Sequence, residues 1–168
     1  MAQRLQVFAI EEFMQRQNFI KGFSNRVEEH MTEHPAFSSV KTPVNEAAEF
    51  MNRMGFRHLP VLDDGKLVGI VSERDLKQAI LFTKELKLTL EDVMTPNPYI
   101  ATTGSSLYSV LNEMVDRKIG SAIVIDPDEK ILGIFTTTDA MNILAEMLEA
   151  QSHHEYGIEK YISWNTLI

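Results

Sequence analysis

The chain has 168 residues, of which 44% are hydrophobic and 24% charged, and it contains no cysteine. Its formal charge of -8 at pH 7 argues against a general nucleic-acid binder, because such a protein needs a basic face to neutralise phosphates. The lack of cysteine excludes disulfides, thiolate metal sites and cysteine nucleophiles. The sequence contains no signal peptide and no apolar run of about 18 residues, so we expect a cytoplasmic protein with no membrane contact.

Residues 5 to 23 are predicted to form an amphipathic helix, because apolar side chains recur among polar ones. These apolar residues are Leu5, Phe8, Phe13, Phe19 and Phe23. We expect this N-terminal extension, residues 1–26, to pack on the rest of the chain or on a partner chain.

From residue 27 onwards the sequence repeats itself. Met31-Thr32 recurs as Met94-Thr95, and the string from Gly69 to Asp75 recurs from Gly133 to Asp139. The first repeat is assigned to residues 27–82, and the second, with its connector, to residues 83–147. Residues 148–168 form a helix end and a tail. Two copies that cannot each close a core are expected to pack together, and the cleft between them is the first place to look for a ligand.

In the first repeat the pattern predicts an extended segment at 36–40, then a helix with Thr42 as N-cap, Pro43 at its first position and Gly55 at its end. Strands at 59–62 and 67–72 follow, joined by a turn, and a helix runs from about 73 to 81. In the second repeat the same order predicts an extended segment at 99–102, a helix at 106–118, strands at 121–125 and 131–136, and a helix from about 138.

Each repeat therefore reads β-α-β-β-α, an α+β unit with a three-stranded sheet and two helices on one side. Packing the two copies about a pseudo-twofold axis would cover their apolar helix surfaces. The predicted fold class is thus α+β, with two such repeats, an extra N-terminal helix and a C-terminal tail.

The clearest chemistry lies between Gly69 and Asp75. Ser72 falls where a strand gives way to a helix, so its hydroxyl and the free amides there face a possible anion. Asp75 lies one turn into that helix, and a carboxylate accepts hydrogen bonds from two neighbouring hydroxyls, as a ribose offers. Thr136 and Asp139 repeat the pair in the second copy.

A second interpretation of these residues needs no ligand. Ser72 and Thr136 could be simple N-caps, and Asp75 and Asp139 could oppose the helix dipole. Because the pair occurs twice in the same local setting, a binding role at one or more sites is favoured.

The doubled pattern resembles a tandem pair of CBS domains, regulatory modules named after cystathionine β-synthase. The signature that carries the resemblance is a glycine, a hydrophobic residue, any residue, Ser or Thr, two further residues and Asp. It occurs twice, each time after two strands and before a helix. The resemblance covers residues 27 to 147 and implies adenosine-nucleotide sites in which Asp holds the ribose and Ser or Thr approaches the phosphate.

Further ligand-binding residues follow from the signature and its alignment to the family. The full predicted set is Thr42, Ala47, Arg57, His58, Val71, Ser72, Arg74, Asp75, Ser105, Val110, Lys118, Ser121, Phe135, Thr136 and Asp139. Capping explains Thr42 equally well, and core packing explains Ala47 and Val110. We expect Gly69 and Gly133 to let a ligand approach the backbone closely.

The basic residues are unequally divided between the repeats. Arg57, His58 and Arg74 belong to the first, whereas the counterparts of Arg57 and His58 are Gly120 and Ser121. Arg117 and Lys118 are the nearest candidates in the second repeat. The first site is therefore predicted to prefer phosphorylated ligands, and the second an uncharged adenosine moiety or no ligand.

No metal site or catalytic set is predicted. His153 and His154 are adjacent and would point about 100° apart on a helix, and the acidic turns lack the spacing of a calcium loop. No Walker loop, Gly-x-Ser-x-Gly string or paired His-Glu zinc motif occurs.

The prediction is a non-catalytic regulatory module that binds AMP, ADP or ATP, with or without Mg²⁺, and signals to an effector protein, as a homodimer. Three alternatives stay open: a ligand-free structural or dimerisation module, an S-adenosylmethionine binder, and an enzyme acting on a nucleotide.

Overall fold

The computed structural model of the chain describes residues 24–82 and 87–150. The predicted N-terminal helix, most of its extension and the tail from residue 151 lie outside the described residues, so these predictions stay open.

The first repeat begins with a 3₁₀ turn at Val27–Glu29 and continues with four strands and two helices. These are β1 (Thr32–Glu33), β2 (Ser38–Ser39), α1 (Val44–Met54), β3 (His58–Asp63), β4 (Lys66–Ser72) and α2 (Glu73–Phe82).

The second repeat follows the same order after one extra turn of helix. Its elements are α3 (Leu90–Val93), β5 (Thr95–Pro96), β6 (Ile100–Thr102), α4 (Leu107–Arg117), β7 (Ser121–Ile125), β8 (Ile131–Thr136) and α5 (137–150). Each repeat is therefore β-β-α-β-β-α, which confirms the predicted α+β class and adds one short strand to each copy.

The helices and hairpins form where the sequence predicts them, for local reasons. Helix α1 buries Val44, Ala47 and Met51, which share one face, and ends at Gly55, whose φ is 77° and whose N–H donates to the carbonyl of Met51. The turn between β3 and β4 has positive φ at Asp64 and Gly65, as a two-residue hairpin connection requires.

Thr42 is not the N-cap of α1. The cap residue is Pro43, and no side chain accepts a hydrogen bond there. The hydroxyl of Thr42 instead accepts a hydrogen bond from Ser38 Oγ at 2.8 Å. Thr42 therefore braces the loop before the helix, and the predicted cap is wrong by one residue.

Each sheet has four strands, in the orders β2-β3-β4-β5 and β6-β7-β8-β1. Strand β1 begins the first repeat but pairs with β8 of the second, with Thr32 opposite Ile134. Strand β5 begins the second repeat but pairs with β4 of the first, with Thr95 opposite Ile70. The two repeats thus exchange edge strands about the pseudo-twofold axis, and the predicted three-stranded sheets gain a fourth strand.

The hydrophobic cores follow the same exchange. Val27 is fully buried in the core of the second repeat, with Val110, Phe135 and their neighbours. Leu90 is fully buried in the core of the first repeat, with Met51, Val71 and their neighbours. Each structural half is therefore completed by the segment that leads into the other repeat.

Candidate functional site

The candidate site is built at two strand-to-helix junctions, one in each repeat. In the first, β4 ends at Ser72 and α2 begins at Glu73. In the second, β8 ends at Thr136 and helix α5 begins at residue 137. A change from extended to helical backbone leaves N–H groups without helical partners, so each junction holds donors beside a hydroxyl.

The signature residues form a reciprocal hydrogen-bonded pair in both repeats. The N–H and Oγ of Ser72 donate to Asp75 Oδ2 at 3.0 and 2.6 Å, and the N–H of Asp75 donates to Ser72 Oγ at 3.2 Å. The N–H and Oγ1 of Thr136 both donate to Asp139 Oδ2 at 2.7 Å, and the N–H of Asp139 donates to Thr136 Oγ1 at 3.4 Å. These are capping boxes, so capping explains part of the signature.

Capping uses only one oxygen of each carboxylate. Within the described residues, Oδ1 of Asp75 and Oδ1 of Asp139 form no hydrogen bond. Both side chains are half-buried at the junction. An oriented, partly desolvated carboxylate oxygen is an acceptor for hydroxyl groups of a ligand.

The first residues of β3 and of β7 lie beside the junctions of their repeats. His58 is opposite Ser72 in the β3–β4 pairing, and the N–H of Glu73 donates to the carbonyl of Arg57 at 2.9 Å. In the second repeat Ser121 is opposite Thr136. The structure therefore brings Arg57, His58, Ser72 and Asp75 together, although they are separated by up to a third of a repeat in sequence.

His58 lies where the two repeats meet. A Cβ atom added to Gly120 would be 2.9 Å from His58 Nε2 and 3.2 Å from its Cε1, so the imidazole rests against this glycine of the second repeat. Burial lowers the pKa of His58 below its ordinary value of 6.5, and the charge of Arg57 lowers it further. The carboxylate of Asp75 acts in the opposite direction. The ring is therefore neutral at neutral pH.

The other basic residues differ in their surroundings. Arg57 and Arg74 are exposed in the first repeat, and Lys118 is exposed in the second, at the left-handed residue that ends α4. Arg117 is paired with Glu113, and its guanidinium lies 4.9 Å from the centre of the Tyr99 ring. Arg117 is thus engaged within the second repeat itself. The first repeat has Arg57 and Arg74 as exposed cations near its junction, and the second has Lys118.

Thr42 and Ser105 do not lie at the junctions of their own repeats. Strand β2 runs parallel to β3 with Ser39 opposite Leu62, so the chain reaches Thr42 beyond the end of β3, whereas Ser72 faces its beginning. At the usual rise of a strand, the length of β3 separates these positions by roughly 17 Å.

The backbone carbonyls of Thr42 and Ser105 form hydrogen bonds with the segments that lead into the opposite repeat. That of Thr42 accepts the N–H of Leu90, and that of Ser105 accepts the N–H of Val27. The structure thus does not support either residue as a lining residue of its own repeat's junction.

Four other predicted site residues are part of the hydrophobic cores. Ala47 and Val71 belong to the core of the first repeat, and Val110 and Phe135 to that of the second. All four are at most 1% exposed. In this conformation they pack within the cores behind the junctions, and their contact with a ligand stays a prediction.

Gly69 and Gly133 make room for methionine side chains. An alanine Cβ at residue 69 would overlap Met94 Sδ, and one at residue 133 would overlap Met31 Sδ. The expectation that these glycines admit a ligand is therefore wrong. They leave space for the side chains of Met94 and Met31, the residues directly before the exchanged edge strands β5 and β1.

The segments that begin the two repeats are also neighbours of the site, which was not predicted from the sequence. Strand β1 runs antiparallel to β8 with Thr32 opposite Ile134, so the residues before Thr32 extend towards Thr136. Residues before Thr95 extend in the same way towards Ser72. The repeated Met-Thr pair was the available signal, but the repeat alone does not show which sheet these residues join.

Neither a metal centre nor a membrane span is found in the described part of the chain. Residues 24–82 and 87–150 contain no group of three or more His, Asp or Glu side chains placed to hold a metal ion. No helix in the same ranges is both long and apolar enough to cross a membrane.

The two β-β-α-β-β-α units, each with its Ser/Thr–Asp pair, coincide with two matches to one known family. The model of the CBS domain matches residues 27–82 and again residues 90–146. The chain belongs to the CBS domain family. CBS domain pairs are regulatory modules without catalysis of their own, including those within enzymes.

One curated relative of this CBS pair is a homoserine O-acetyltransferase of Methanosphaera stadtmanae, 33% identical over 119 residues. The alignment covers 70% of this chain but 24% of the relative. The chain thus spans about a quarter of the length of that relative, so the similarity concerns the CBS part.

Two solved structures share the fold over nearly their whole length. The CBS domain pair of protein MJ0100, in complex with 5′-methylthioadenosine and S-adenosyl-L-methionine, has a TM-score of 0.67 and 27% identity, and the match covers 73% of this chain and 97% of that one. The protein CBSX2 in complex with AMP has a TM-score of 0.63 and 26% identity, and the match covers 74% and 98%.

Proposed function

We propose that this CBS pair binds adenosine-containing ligands at its strand-to-helix junctions and regulates a partner protein according to their level. The observation that carries the proposal is the second carboxylate oxygen of Asp75 and Asp139, which the capping box orients but does not use. Vicinal ribose hydroxyls are suitable donors to such an oxygen.

The solved relatives support an adenosine ligand. The ligands of MJ0100 and CBSX2, which are 5′-methylthioadenosine, S-adenosyl-L-methionine and AMP, share the adenosine part and differ in what is attached to it. A junction that binds the ribose through Asp and the attached group through its neighbours fits all three.

The two junctions are proposed to differ in the group attached to the adenosine. Arg57 and Arg74 supply positive charge next to the first junction, and the neutral imidazole of His58 can donate a hydrogen bond there, which favours the phosphates of AMP, ADP or ATP. The second has Gly120 and Ser121 in the places of Arg57 and His58, which favours an uncharged adenosine or S-adenosylmethionine.

Signalling requires a surface that a partner or a second copy can contact. Exposed apolar side chains lie on the helices of both repeats: Met54, Ile80, Leu81, Phe82, Tyr108, Val115, Met141, Leu144 and Leu148. We propose that a homodimer covers part of this surface, and that ligand binding changes the state that the effector protein recognises. A ligand shifts such an equilibrium only as far as it prefers one state.

A ligand-free structural module is the second candidate function. It is favoured by the capping boxes, which engage each signature Asp within its own repeat without any ligand. On this interpretation the signature stabilises two helix starts and has no binding role.

Calorimetric titration with AMP, ADP, ATP, 5′-methylthioadenosine and S-adenosylmethionine, each with and without Mg²⁺, separates the two candidates. The variants Asp75→Asn and Asp139→Asn separate capping from ligand binding. The amide oxygen still accepts the capping hydrogen bonds, whereas the amide nitrogen cannot accept a hydrogen bond from the ribose. Each variant should keep its fold and lose binding at its own junction.

Binding by the native protein that disappears in one variant supports the nucleotide module and identifies the repeat. No binding of any of the five ligands would instead favour the structural module. Binding that survives in both variants would show that the ligand lies elsewhere.

A further inference from the structure

His58 of the first repeat lies against Gly120 of the second. A Cβ on Gly120 would lie 2.9 Å from His58 Nε2, closer than side chains normally approach. The backbone at Gly120 does not itself require glycine, because the positive-φ glycines among the described residues are Gly55, Gly65 and Gly104. Glycine at position 120 therefore provides space for the imidazole.

The same imidazole belongs to the first junction. It is opposite Ser72 in the strand pairing, and among charged groups it interacts with Asp75 and Arg57. The ring thus lies against the backbone of Gly120 in the second repeat, within electrostatic range of the Asp75 carboxylate of its own repeat. Gly120, the residue of the second repeat that lies against the ring, carries no charge.

We propose that Gly120 is a positioning residue for the ligand site of the other repeat, where it keeps His58 directed at the phosphate of a ligand bound by Ser72 and Asp75. The inference rests on the proposed function, since it concerns the same junction. It adds a residue of the second repeat to the groups of the first repeat that give this site its preference for phosphorylated ligands.

The contact also explains why the two junctions differ. Gly120 is the counterpart of Arg57, and Ser121 is the counterpart of His58. A side chain at position 120 would occupy the space of the His58 ring. A histidine at one junction therefore excludes a basic side chain from the corresponding place at the other, so that both sites cannot be optimised for phosphate at once.

The test is a double-mutant cycle with Gly120→Ala, His58→Ala and the double variant, measured with AMP and with adenosine as an uncharged control ligand. Each single variant should weaken AMP binding about tenfold, the size expected for loss of one hydrogen bond to a charged group. The double variant should be no weaker than His58→Ala, because Gly120 acts through the ring. Adenosine affinity should stay within about twofold in all three, since no phosphate is present.

A second measurement reports on the ring directly. The pKa of His58, followed by proton NMR, should rise towards its ordinary value in Gly120→Ala, because the displaced ring is more exposed to water. In the native protein AMP should raise this pKa, because phosphate favours the imidazolium, and the rise should be absent in Gly120→Ala. If Gly120→Ala fails to fold, the double variant restores the fold when the ring is the cause.

Three results would overturn the inference. Unchanged AMP affinity in Gly120→Ala or in His58→Ala is one, and additive losses in the double variant are another, because they would mean that Gly120 acts independently of His58. Equal losses for AMP and adenosine would show general damage to the junction. If the native protein binds neither AMP nor adenosine, the proposed function itself is contradicted. If the native protein binds AMP and Gly120→Ala binds it equally well, only the inference about Gly120 is contradicted.

Discussion

Three glycines of this CBS pair are required by the space around them. Gly69 and Gly133 lie beneath Met94 and Met31, and Gly120 lies against His58. In each case the neighbouring side chain comes from a segment far away in sequence. These positions therefore join the two repeats, although each appears in the sequence as a feature of one repeat.

We expect Gly69→Ala to lower the free energy of unfolding by about 1–3 kcal/mol, the usual cost of overfilling a packed site. The added Cβ would lie 2.9 Å from Met94 Cγ, and the backbone carbonyl of Thr95 at 3.1 Å leaves little room to move away. Urea unfolding measures the effect. In a Met94→Ala background the same substitution should cost less, and an equal cost in both backgrounds would contradict the steric explanation.

The Ser/Thr–Asp pairs could be predicted from sequence because their chemistry is local, within four residues. The role of the glycines could not, since the sequence does not show which atoms from elsewhere lie above a backbone. Thr42 illustrates the same limit: its alignment suggested a ligand, and only the direction of β2 shows that it lies at the other end of β3 from Ser72.

His58 should make stability depend on pH. Its folded pKa is lowered by burial below 6.5, so the unfolded chain binds more protons in the range between the two values. The free energy of unfolding should therefore rise with pH across this window, with the gain complete above about pH 6.5 and lost as pH falls through the folded pKa. Urea titrations of the native protein and of His58→Gln measure it, and an identical pH profile in both would contradict the assignment.

At the scale of elements, the two capping boxes begin helices that each pack one face against a core. Helix α2 buries Leu76 fully and packs Ala79 against the first core, and α5 buries Ile143 and packs Ala140 and Met147 against the second. The caps are therefore expected to matter for the fold as well as for a ligand.

Ser72→Ala should lower the free energy of unfolding by about 1 kcal/mol, because the N–H of Asp75 loses its acceptor and Asp75 loses a donor. Thr136→Ala should cost a similar amount. Thermal unfolding without ligand measures both. The conservative variant Ser72→Thr should retain native stability, and a loss as large as that of alanine would show that the hydroxyl is not what stabilises the helix start.

Longer elements were predicted well because their apolar residues are periodic. Strands β7 and β8 have the predicted bounds, and α4 differs by one residue at each end. Strands β1 and β5 were not predicted, because a strand of two exposed residues shows no alternation of apolar and polar side chains. Each becomes a strand only by pairing with the sheet of the other repeat. The capping box of Thr89 and Asp92 was a readable signal for α3, which the sequence reasoning treated as connector.

At the scale of the whole molecule, the exchange of edge strands and core residues ties the repeats into one unit. Leu90→Ala should lower the free energy of unfolding by about 2–5 kcal/mol, the cost of a cavity at a fully buried leucine. Hydrogen exchange should show the largest loss of protection in β3 and α1 of the first repeat, although Leu90 leads into the second. Loss of protection confined to the second repeat would contradict the exchange.

The proposed homodimer can be tested at the helix surface. Val115 is 72% exposed on α4, and a charge there should be tolerated by the monomer but not by an apolar interface. We expect Val115→Glu to dissociate the dimer in sedimentation equilibrium while circular dichroism is unchanged. Pro127→Glu, in the turn between β7 and β8, adds the same charge away from the helices and should leave the dimer intact.

The exchange has a consequence for how such a chain can arise by gene duplication. A gene for one repeat would produce a unit without its own edge strand, and two identical copies could lend each other β1 and close the same fold as a symmetric pair. Fusion of the two genes would then release the copies from identity. Gly120 and Ser121, which occupy in the second repeat the places of Arg57 and His58 in the first, are differences of the kind that such divergence produces.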